Sequence, residues 1–407
     1  MDRGCDILIV GGGLNGPALA LALAQAGFSV TVVDARPAPA RAEAGFDGRA
    51  YALAQASKRL LAAIGVWPAL APLAQPILQI KASDGRAGEG AAPFFLHFDA
   101  AEMEEGPMGF MVEDRHLYAA FLEAMAAAGV RLISSERVVA QEVNATGVQV
   151  SLASGGTVAA RLLVGCDGRS SGTASRAGIG RTGWGYGQTA LVTAVDHEHP
   201  HEGIAHQFFM PEGPLAILPL RGNRSSIVWS DRADRAAAIQ ALSDAEYLEA
   251  LRPRFGDFLG KIALGGDRFT YPLSLTLANR FVAPRLALVG DAAHGVHPIA
   301  GQGLNLGLRD VAALAEVLCD AARRGEDIAA LDVLERYERW RRFDTTVMAI
   351  GMDTVNRLFS NDNPLLRLGR DLGLGAVSAL PGLRRRFMRQ AAGLEGDLPR
   401  LLRGLPA

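Results

Sequence analysis

The sequence predicts an α/β fold, and three observations predict it. Residues 6–33 contain an apolar run, a helix-spaced pattern and a second apolar run, which is typical of a strand, a helix and a parallel strand. Two later apolar runs, 162–164 and 285–289, each lead into a glycine and then an aspartate, as expected where parallel strands end. Residues 76–99 and 181–275 instead contain alternating runs such as FFLHF, LAILPL and SSIVWS, which favour antiparallel strands. We therefore expect a domain built on a parallel sheet, with an inserted, mainly antiparallel sheet and C-terminal helices.

Composition limits the class of protein. With 407 residues the chain is long enough for two domains or one elaborated domain. The formal net charge is −2 and 21% of the residues are charged, so no basic field predicts a nucleic-acid partner. Three cysteines lie far apart without a Cys-x-x-Cys motif, so we expect reduced thiols, no metal site and a cytoplasmic protein. The uncharged run 7–33 is interrupted by glycines and Pro17, so we interpret it as the start of the α/β domain and not as a membrane span or signal peptide.

The first turn has the glycine pattern of a dinucleotide-binding unit. Gly11, Gly13 and Gly16 match G-x-G-x-x-G: the first allows the tight turn, the second lets a pyrophosphate approach the backbone, and the third lets the helix pack on the strand. Asp34 ends the second strand about 20 positions beyond Gly13, as expected of the acid that binds an adenosine ribose. This unit predicts a Rossmann-like domain, and the motif leaves open whether the ligand is NAD or FAD.

The segment VGDAAHGVHPIAGQGLNLGLRD, residues 289–310, indicates a second ligand contact. The strand before it ends at Gly290 and Asp291, and the glycine turn at 301–303 precedes leucines at helical spacing. A helix that begins after this turn would offer free N–H groups to an electron-rich acceptor. A ligand that reaches both this turn and the first glycine turn must be long, which favours FAD over NAD.

Together these motifs resemble the single-component FAD-dependent aromatic hydroxylases. More narrowly, they resemble the ubiquinone-biosynthesis hydroxylases of the 2-polyprenylphenol or 2-polyprenyl-6-methoxyphenol type. The most specific motif is HPIAGQGLNLGLRD at 297–310. Further matching segments are DGRAYALAQASKRLLAAIGVW (47–67), GIAHQFFMPEGPLAILPL (203–220) and LERYERWRRFDTTVMA (334–349), so the resemblance spans nearly the whole chain.

The resemblance implies FAD as the cofactor and assigns its contacts residue by residue. The first glycine turn and its acid hold the ADP half, two arginines approach the flavin or its phosphates, and the second glycine turn lies at the flavin ring. For Arg49 a surface ion pair is the alternative. The corresponding positions are Gly11, Gly13, Gly16 and Asp34; Arg49 and Arg115; Asp167, which helps position the pyrophosphate and the nicotinamide donor; Asp291 at the ribityl chain; and Pro298, Gly301, Gln302, Gly303 and Asn305 at the isoalloxazine side.

The resemblance also implies the reaction, which is hydroxylation of the aromatic ring of a polyprenylated phenol in ubiquinone biosynthesis. NAD(P)H would reduce the FAD, molecular oxygen would be the co-substrate, and a flavin hydroperoxide would carry the oxygen, so no side chain is assigned a catalytic role. His294 and His297 are accordingly expected to be structural. His206, Gln207 and Phe209 fall on a predicted strand of the inserted sheet and are candidates for substrate contact.

Two alternatives remain open on the sequence alone. One is an FAD-dependent hydroxylase of another aromatic compound, and the other is a non-catalytic flavoprotein subunit of a quinone-biosynthesis complex. A flavin-dependent halogenase is disfavoured, because the chain lacks a Trp-x-Trp-x-Ile-Pro segment.

The C-terminal part of the chain is basic. Residues 381–407 contain six arginines and two acids, with leucines and a phenylalanine between them. This segment predicts peripheral contact with the inner face of a membrane or docking to a protein complex, and a solvated basic helix face is the alternative. The motif positions divide the whole chain into a discontinuous FAD-binding domain (1–75, 100–180 and 276–350), a substrate domain (76–99 and 181–275) and a C-terminal helical region (351–407).

Overall fold

The structure is a computed structural model, and it describes residues 4–38, 45–86, 88, 90–296, 301–359 and 380–407. These residues form two large sheets, one small sheet and the helices around them. In chain order the strands are β1 (Cys5–Val10), β2 (Val30–Val33), β3 (Ala50–Ala54), β4 (Gln75–Ile77), β5 (Gln79–Arg86), β6 (Gly90–Asp99), β7 (Gly109–Glu113), β8 (Arg131–Ile133), β9 (Val138–Val143), β10 (Val148–Leu152), β11 (Thr157–Gly165), β12 (Arg181–His197), β13 (Ile204–Phe209), β14 (Leu215–Leu220), β15 (Arg224–Arg232), β16 (Ile262–Leu264), β17 (Phe269–Ala278), β18 (Val282–Ala283), β19 (Leu286–Leu288) and β20 (His294–Gly295). The helices are α1 (Asn15–Gln25), α2 (Gln55–Ala63), α3 (Trp67–Leu70), α4 (Asp114–Ala127), α5 (Gly172–Arg176), α6 (Ala233–Gln240), α7 (Asp244–Phe255), α8 (Gln302–Arg323), α9 (Leu331–Phe359) and α10 (Pro381–Ala391).

The larger domain is built on a sheet whose central strands are parallel, as the sequence predicts. Its order is β8-β2-β1-β11-β19-β18, and the antiparallel strands β10 and β9 extend it from β11. Ile7, Leu8 and Ile9 of β1 are completely buried. A strand that is covered on both faces needs apolar side chains at successive positions, which explains why this run does not alternate with polar residues.

Three motif segments meet at one edge of this sheet, because β1, β11 and β19 are parallel neighbours. Val10 lies beside Gly165, and Gly165 lies beside Leu288. The first glycine turn therefore begins at the same level as the turns that contain Asp167 and Asp291. The carboxyl ends of parallel strands are where open α/β sheets bind their ligands.

The second large sheet takes its strands mainly from the two stretches with alternating patterns. Its order is β20-β17-β12-β15-β14-β13-β5-β6, with β16 paired to β12. Neighbouring strands are antiparallel except for β13 and β5, which are parallel.

This sheet has two faces with different neighbours. Its outer face packs against α6 and α7 through side chains such as Ile217, Ile227 and Trp229. Its inner face packs, through Ala205 and Leu220 among others, against the small sheet of order β3-β7-β4. The inner face is therefore the one that looks towards the larger domain.

The C-terminal helices connect the two parts. α9 packs on α8, and α10 places the buried Met388 in the cluster beneath the inner face. The chain then returns to the larger domain, where Leu394, Leu401 and Leu402 are buried in the core. None of the described helices has the length and apolar character needed to cross a lipid bilayer. The predicted fold class is confirmed: an α/β Rossmann-like domain, an inserted mainly antiparallel sheet and C-terminal helices.

Candidate cofactor and substrate site

The glycines of the first turn have two different kinds of surroundings: two of them are close to protein atoms, and the third lies beside open space. Gly11 has φ +110°, and a Cβ at Gly16 would lie 2.0 Å from the carbonyl oxygen of Gly11. These two glycines therefore allow β1 and α1 to approach each other. At Gly13, in contrast, a Cβ would have no described protein atom within 4 Å. The middle glycine thus leaves room beside the backbone for a ligand, as the sequence predicts.

Asp34, at the end of β2, completes this turn. It is buried, and its Oδ1 accepts a hydrogen bond from the backbone N–H of Arg36 at 2.8 Å. Its Oδ2 is buried and has no hydrogen-bond partner among the described residues. A buried carboxylate oxygen without a donor is energetically costly, so this oxygen can accept a hydrogen bond from a hydroxyl group of a ligand.

Asp167 and Asp291 have different surroundings. Asp167 accepts hydrogen bonds from the hydroxyl of Ser171 at 2.5 Å and from the backbone N–H of Thr173 at 2.9 Å, so it holds the start of α5. Asp291 is half-buried, and Arg169 donates to its Oδ2 at 3.2 Å. The carboxylate of Asp167 is therefore used within the protein, whereas that of Asp291 faces the open edge of the sheet.

The second glycine turn leads directly into α8. Gly301 has φ +64° and precedes the first residue of the helix, and a Cβ at Gly303 would meet no described atom within 4 Å. The first turn of α8 contains no acid, and no side chain of the described residues caps it. Its N–H groups and the positive end of the helix dipole are therefore available to an anionic or electron-rich group. Pro298 and His297 lie outside the described residues.

Asn305 anchors the start of α8. Its Oδ1 accepts hydrogen bonds from the N–H of Ala54 at 2.8 Å and the hydroxyl of Ser57 at 2.7 Å. Its Nδ2 donates to the carbonyl oxygens of Ala52 at 2.8 Å and Gly301 at 3.1 Å. These four bonds use the full capacity of the amide. The side chain therefore positions the glycine turn against β3 and α2, and contact with a ligand here falls to the backbone.

A buried ion cluster lies behind this turn. Asp310 of α8 accepts hydrogen bonds from His294 Nε2 at 2.5 Å, from Arg341 Nε at 2.8 Å and from the backbone N–H of Gly290 at 3.0 Å. Burial raises the pKa of Asp310, but the contacts with His294 and Arg341 outweigh burial and hold the pKa below its ordinary value. His294 is thus a hydrogen-bond partner of Asp310 within the core, as a structural residue would be.

Sequence reasoning missed Asp310 and Arg341. One signal was present in the sequence. Asp310 is a charged residue at the end of GLNLGLRD, and most of the residues before it at the start of the helix are apolar or glycine. Charged side chains are rarely buried without a partner. Nothing in the sequence pointed to α9 as the source of that partner.

The three candidate substrate residues lie on opposite faces of the second sheet. His206 pairs with Ile217, an outer-face residue, whereas Gln207 pairs with Ala216. Because successive side chains of a strand point to opposite faces, Gln207 and Phe209 lie on the inner face and His206 lies on the outer face. The three side chains therefore cannot line one site, and only two of them are on the side of the glycine turns.

The inner face provides an apolar floor opposite the second glycine turn. Val192, Leu218 and Val228 are half-buried there, although the strands they belong to are central in the sheet. The strand β3 lies between this face and α8, since a Cβ at Gly301 would be 3.0 Å from the Cβ of Ala52. Apolar side chains that remain partly accessible at the centre of a sheet indicate a space for an apolar ligand.

Comparison with known proteins identifies the family. Residues 4–348 match the family described as FAD binding domain. The chain belongs to this family of FAD-binding proteins. It is 49% identical to the ubiquinone hydroxylase UbiL of Rhodospirillum rubrum, over 100% of this chain and 94% of that protein. It is 38% identical to the 3-demethoxyubiquinol 3-hydroxylase of Escherichia coli, over 96% of this chain and 98% of that protein.

A solved structure with the same fold is p-nitrophenol 4-monooxygenase PnpA from Pseudomonas putida DLL-E4. It superposes with a TM-score of 0.82 at 20% identity and covers 98% of this chain and 100% of that chain. At this level of identity the likeness concerns the fold.

The residues present fit FAD. The partnerless Oδ2 of Asp34 matches a ribose hydroxyl, and the open side of Gly13 matches a pyrophosphate at the start of α1. The open side of Gly303 matches the far end of a long dinucleotide. FAD therefore has complementary groups at both ends of the edge where the strands terminate.

The two arginines assigned to FAD are engaged within the protein. Arg49 donates to Asp47 through Nε at 2.8 Å and lies over the ring of Phe269 at 5.4 Å. Arg115 donates to Glu113 through Nε at 2.7 Å. Both side chains are half-buried beside the inner face, so the ion pair that the sequence left open for Arg49 is present.

An Asp34→Ala substitution is expected to weaken FAD binding about 10- to 100-fold, because it removes a charged acceptor for the ribose. Asp34→Asn should have an intermediate effect, since it keeps one acceptor oxygen. The dissociation constant for FAD would be measured by titrating the apoprotein and following flavin fluorescence. Asp234→Ala, which removes an exposed acid on α6, is the matched control. Equal affinity in Asp34→Ala and the control would contradict the ribose contact.

Proposed function

We propose that this protein is an FAD-dependent monooxygenase that hydroxylates the aromatic ring of a polyprenylated phenol in ubiquinone biosynthesis. NAD(P)H is the electron donor and molecular oxygen the co-substrate. One oxygen atom enters the ring as a hydroxyl group, and the other leaves as water with the two electrons from NAD(P)H. The observation that carries this proposal is the pair of open glycine turns, at Gly13 and Gly303, beside an apolar sheet face. The ubiquinone hydroxylase relatives support the choice of substrate class.

The cofactor contacts follow from the positions described above. FAD, once reduced, supplies the activated oxygen for transfer. The chain's own part is to bind and orient: the N-terminus of α8 favours negative charge, and the Asp310 cluster holds that helix in place. We assign the cofactor contacts to Gly13, Asp34, Asp291, Pro298, Gly301, Gln302 and Gly303. We assign positioning roles at the cofactor site to Gly11, Gly16, Arg49, Arg115, Asp167 and Asn305, which are engaged within the protein.

The substrate ring is assigned to the inner face of the second sheet. Val192, Leu218 and Val228 would exclude water from the ring, and the amide of Gln207 is a polar group on the same face. Exclusion of water favours oxygen transfer to the ring over side reactions. The domain division follows this assignment, with residues 1–75, 100–180 and 276–350 binding FAD, 76–99 and 181–275 binding the substrate, and 351–407 forming the C-terminal helical region.

Analysis of quinone lipids by mass spectrometry in a strain that lacks this protein tests the proposed function. We expect accumulation of a prenylated phenol that lacks one ring oxygen, and its structure identifies the carbon that is hydroxylated. Unchanged ubiquinone in a strain without a redundant relative would instead favour another aromatic substrate. Substrate-stimulated oxygen consumption by the purified protein separates an enzyme from a non-catalytic subunit of a quinone-biosynthesis complex.

We also propose that α10 makes peripheral contact with the inner face of a membrane. One side of the helix is fixed to the protein by the buried Met388 and by an ion pair between Arg384 and Glu102 at 2.7 Å. The other side exposes Leu383 and Phe387 beside further arginines. Exposed apolar side chains flanked by positive charge match the surface of a bilayer that contains anionic lipid.

Reversal of Arg385 and Arg386 to glutamate is expected to lower binding to vesicles of phosphatidylglycerol and phosphatidylcholine by about tenfold or more, since each basic residue near an anionic surface contributes about 1 kcal/mol. Co-sedimentation measures the bound fraction. Arg137→Glu changes an exposed arginine between β8 and β9, away from α10, and serves as the control. Unchanged sedimentation of the double variant would exclude the membrane contact and favour docking to a protein.

A further inference from the structure

A second apolar cavity lies on the outer face of the substrate sheet, on the opposite side from the FAD-binding edge. It has a volume of about 960 Å³, at the upper end of the range for small-molecule sites. Ile204 and Phe208 of β13 form its floor together with Met210, which follows this strand, and β6 contributes Phe95. None of these side chains lies on the inner face, so the cavity is separate from the site described above.

The segment after α7 forms the opposite wall. The helix ends at Gly256, which has φ +81°, and the chain turns so that Phe258 stacks on Phe255 with ring centroids 5.6 Å apart. The ring of Phe258 also lies 4.6 Å from that of His206. The turn between β5 and β6 is tied to this wall, because the N–H of Gly88 donates to the carbonyl oxygen of Pro253 at 2.6 Å.

The walls are suited to an uncharged ligand. Burial, and secondarily the positive charge of Lys81, lower the pKa of His206 to about 4, so its ring is neutral near neutral pH. Among the described residues, no hydrogen bond reaches either ring nitrogen of His206. Charges of both signs line the cavity: Lys81, Arg252 and Arg254 are positive, Glu202 and Asp257 are negative, and Arg254 also pairs with the buried Asp231 at 3.8 Å. A site for an anion or a cation would carry an excess of one sign.

Large aromatic side chains at the opening remain accessible to water. Phe95 is 42% exposed and Phe258 is 43% exposed, although both border an apolar cavity. Exposed apolar surface of this kind commonly marks a binding site. Most of the accessible lining is aliphatic and aromatic, which favours a flexible aliphatic chain over a polar ring.

We propose that this cavity binds an isoprenoid or other long aliphatic chain and is a second lipid-binding site of the protein. This aliphatic chain has two possible sources: it is either the tail of the substrate itself or part of a separate lipid. The first source rests on the proposed function, whereas the second does not.

A tail has a short path to the cavity from the inner face. The strands β13, β5 and β6 are adjacent, and β6 is the edge of the sheet. A substrate tail that leaves the inner face near Gln207 crosses two strand spacings, about 10 Å, before it reaches this edge. Phe95 belongs to this edge strand, pairs with Ser83 and lies on the outer face. A polyprenyl tail is long enough to follow this path.

The test uses the FAD-loaded protein and three variants. Ile204→Trp fills the floor of the cavity, and Phe258→Ala removes an exposed part of its wall, so the second variant remains informative if the first folds poorly. Val139→Trp, which adds an aromatic group at an exposed position of β9, is the matched control. Calorimetry measures the binding of geranylgeraniol, and steady-state kinetics compare a phenol with a single prenyl group and a phenol with a geranylgeranyl tail.

We expect the native protein and Val139→Trp to bind geranylgeraniol, and Ile204→Trp and Phe258→Ala to bind it about tenfold more weakly. If the substrate tail is the source, KM for the geranylgeranyl phenol rises about tenfold in both cavity variants, while the prenyl phenol is unaffected. If a separate lipid is the source, binding of the alcohol falls and neither KM changes. The proposal is overturned if the native protein does not bind geranylgeraniol, or if both cavity variants match Val139→Trp. Failure of the native protein to hydroxylate either phenol would count against the proposed function. The binding of geranylgeraniol would still show whether the cavity binds an aliphatic chain.

Discussion

A Gly13→Val variant is expected to fold normally and to lose FAD. No described protein atom lies within 4 Å of a Cβ at this position, so a larger side chain meets no obstacle within the protein itself. The same side chain would occupy the space through which a pyrophosphate approaches the backbone. We expect the affinity for FAD to fall at least about 100-fold, as when a close backbone contact to a charged group is removed. The ratio of flavin to protein after purification, and titration of the apoprotein, measure this loss.

Gly16→Ala is the informative comparison with Gly13→Val, because it should lower the stability of the protein itself and not only its affinity for FAD. Its Cβ would lie 2.0 Å from the carbonyl oxygen of Gly11, so β1 and α1 must move apart. Overpacking of this kind costs about 3 kcal/mol in the free energy of unfolding of the apoprotein. Retention of FAD by Gly13→Val at native affinity would show that the pyrophosphate lies elsewhere.

Asp310→Ala is expected to destabilise the protein by about 3–5 kcal/mol, the usual cost of removing one member of a buried ion cluster. The substitution leaves Arg341 and His294, which are both buried, without their shared carboxylate. It also removes the acceptor for the N–H of Gly290. Denaturant unfolding measures the change in the free energy of unfolding. The apoprotein is used because bound FAD would add its own stabilisation. Asp332→Ala, at an exposed ion pair with Arg336, should change stability by less than about 1 kcal/mol.

The contribution of Asp310 should depend on pH in a defined direction. Its pKa in the folded protein lies below that of an aspartate in the unfolded chain, so the folded state favours the ionised form. The stabilisation is therefore complete above the unfolded pKa, near pH 4, and is lost as the pH falls through the lower folded pKa. The stability difference between the native protein and Asp310→Asn should shrink as the pH is lowered below about 4. A difference that instead grew in acid would contradict this assignment.

The cofactor edge could be predicted from the sequence to a large extent, because its elements are encoded by short stretches. The tight turn at Gly11 and the helix contact at Gly16 depend on residues within one strand–turn–helix unit. Asp34 follows from the length of that unit. The assignment of the second glycine turn to the same ligand depended on the length of FAD, and the parallel register of β1, β11 and β19 agrees with it.

The substrate sheet shows what local patterns cannot specify. The run AHQFF predicts a strand, but the pattern by itself does not say which set of alternating side chains points inward. Only pairing with β14, whose outer face is covered by α6 and α7, puts His206 and Gln207 on opposite sides. The cavity beside His206 likewise depends on the turn after α7, which is distant in the chain.

By itself the sequence determined the α/β class, the positions of the two glycine turns, the acid that follows β2 and the division into parallel and antiparallel parts. Each of these depends on spacing and residue type over a short stretch, where strand and helix periodicity and glycine geometry act. The tertiary structure decided that Asn305 holds the second turn in place, that His294 and Arg341 donate hydrogen bonds to Asp310, and which face of the sheet receives each candidate substrate residue. These depend on contacts between elements far apart in the chain, whose partners are chosen by packing and not by local sequence.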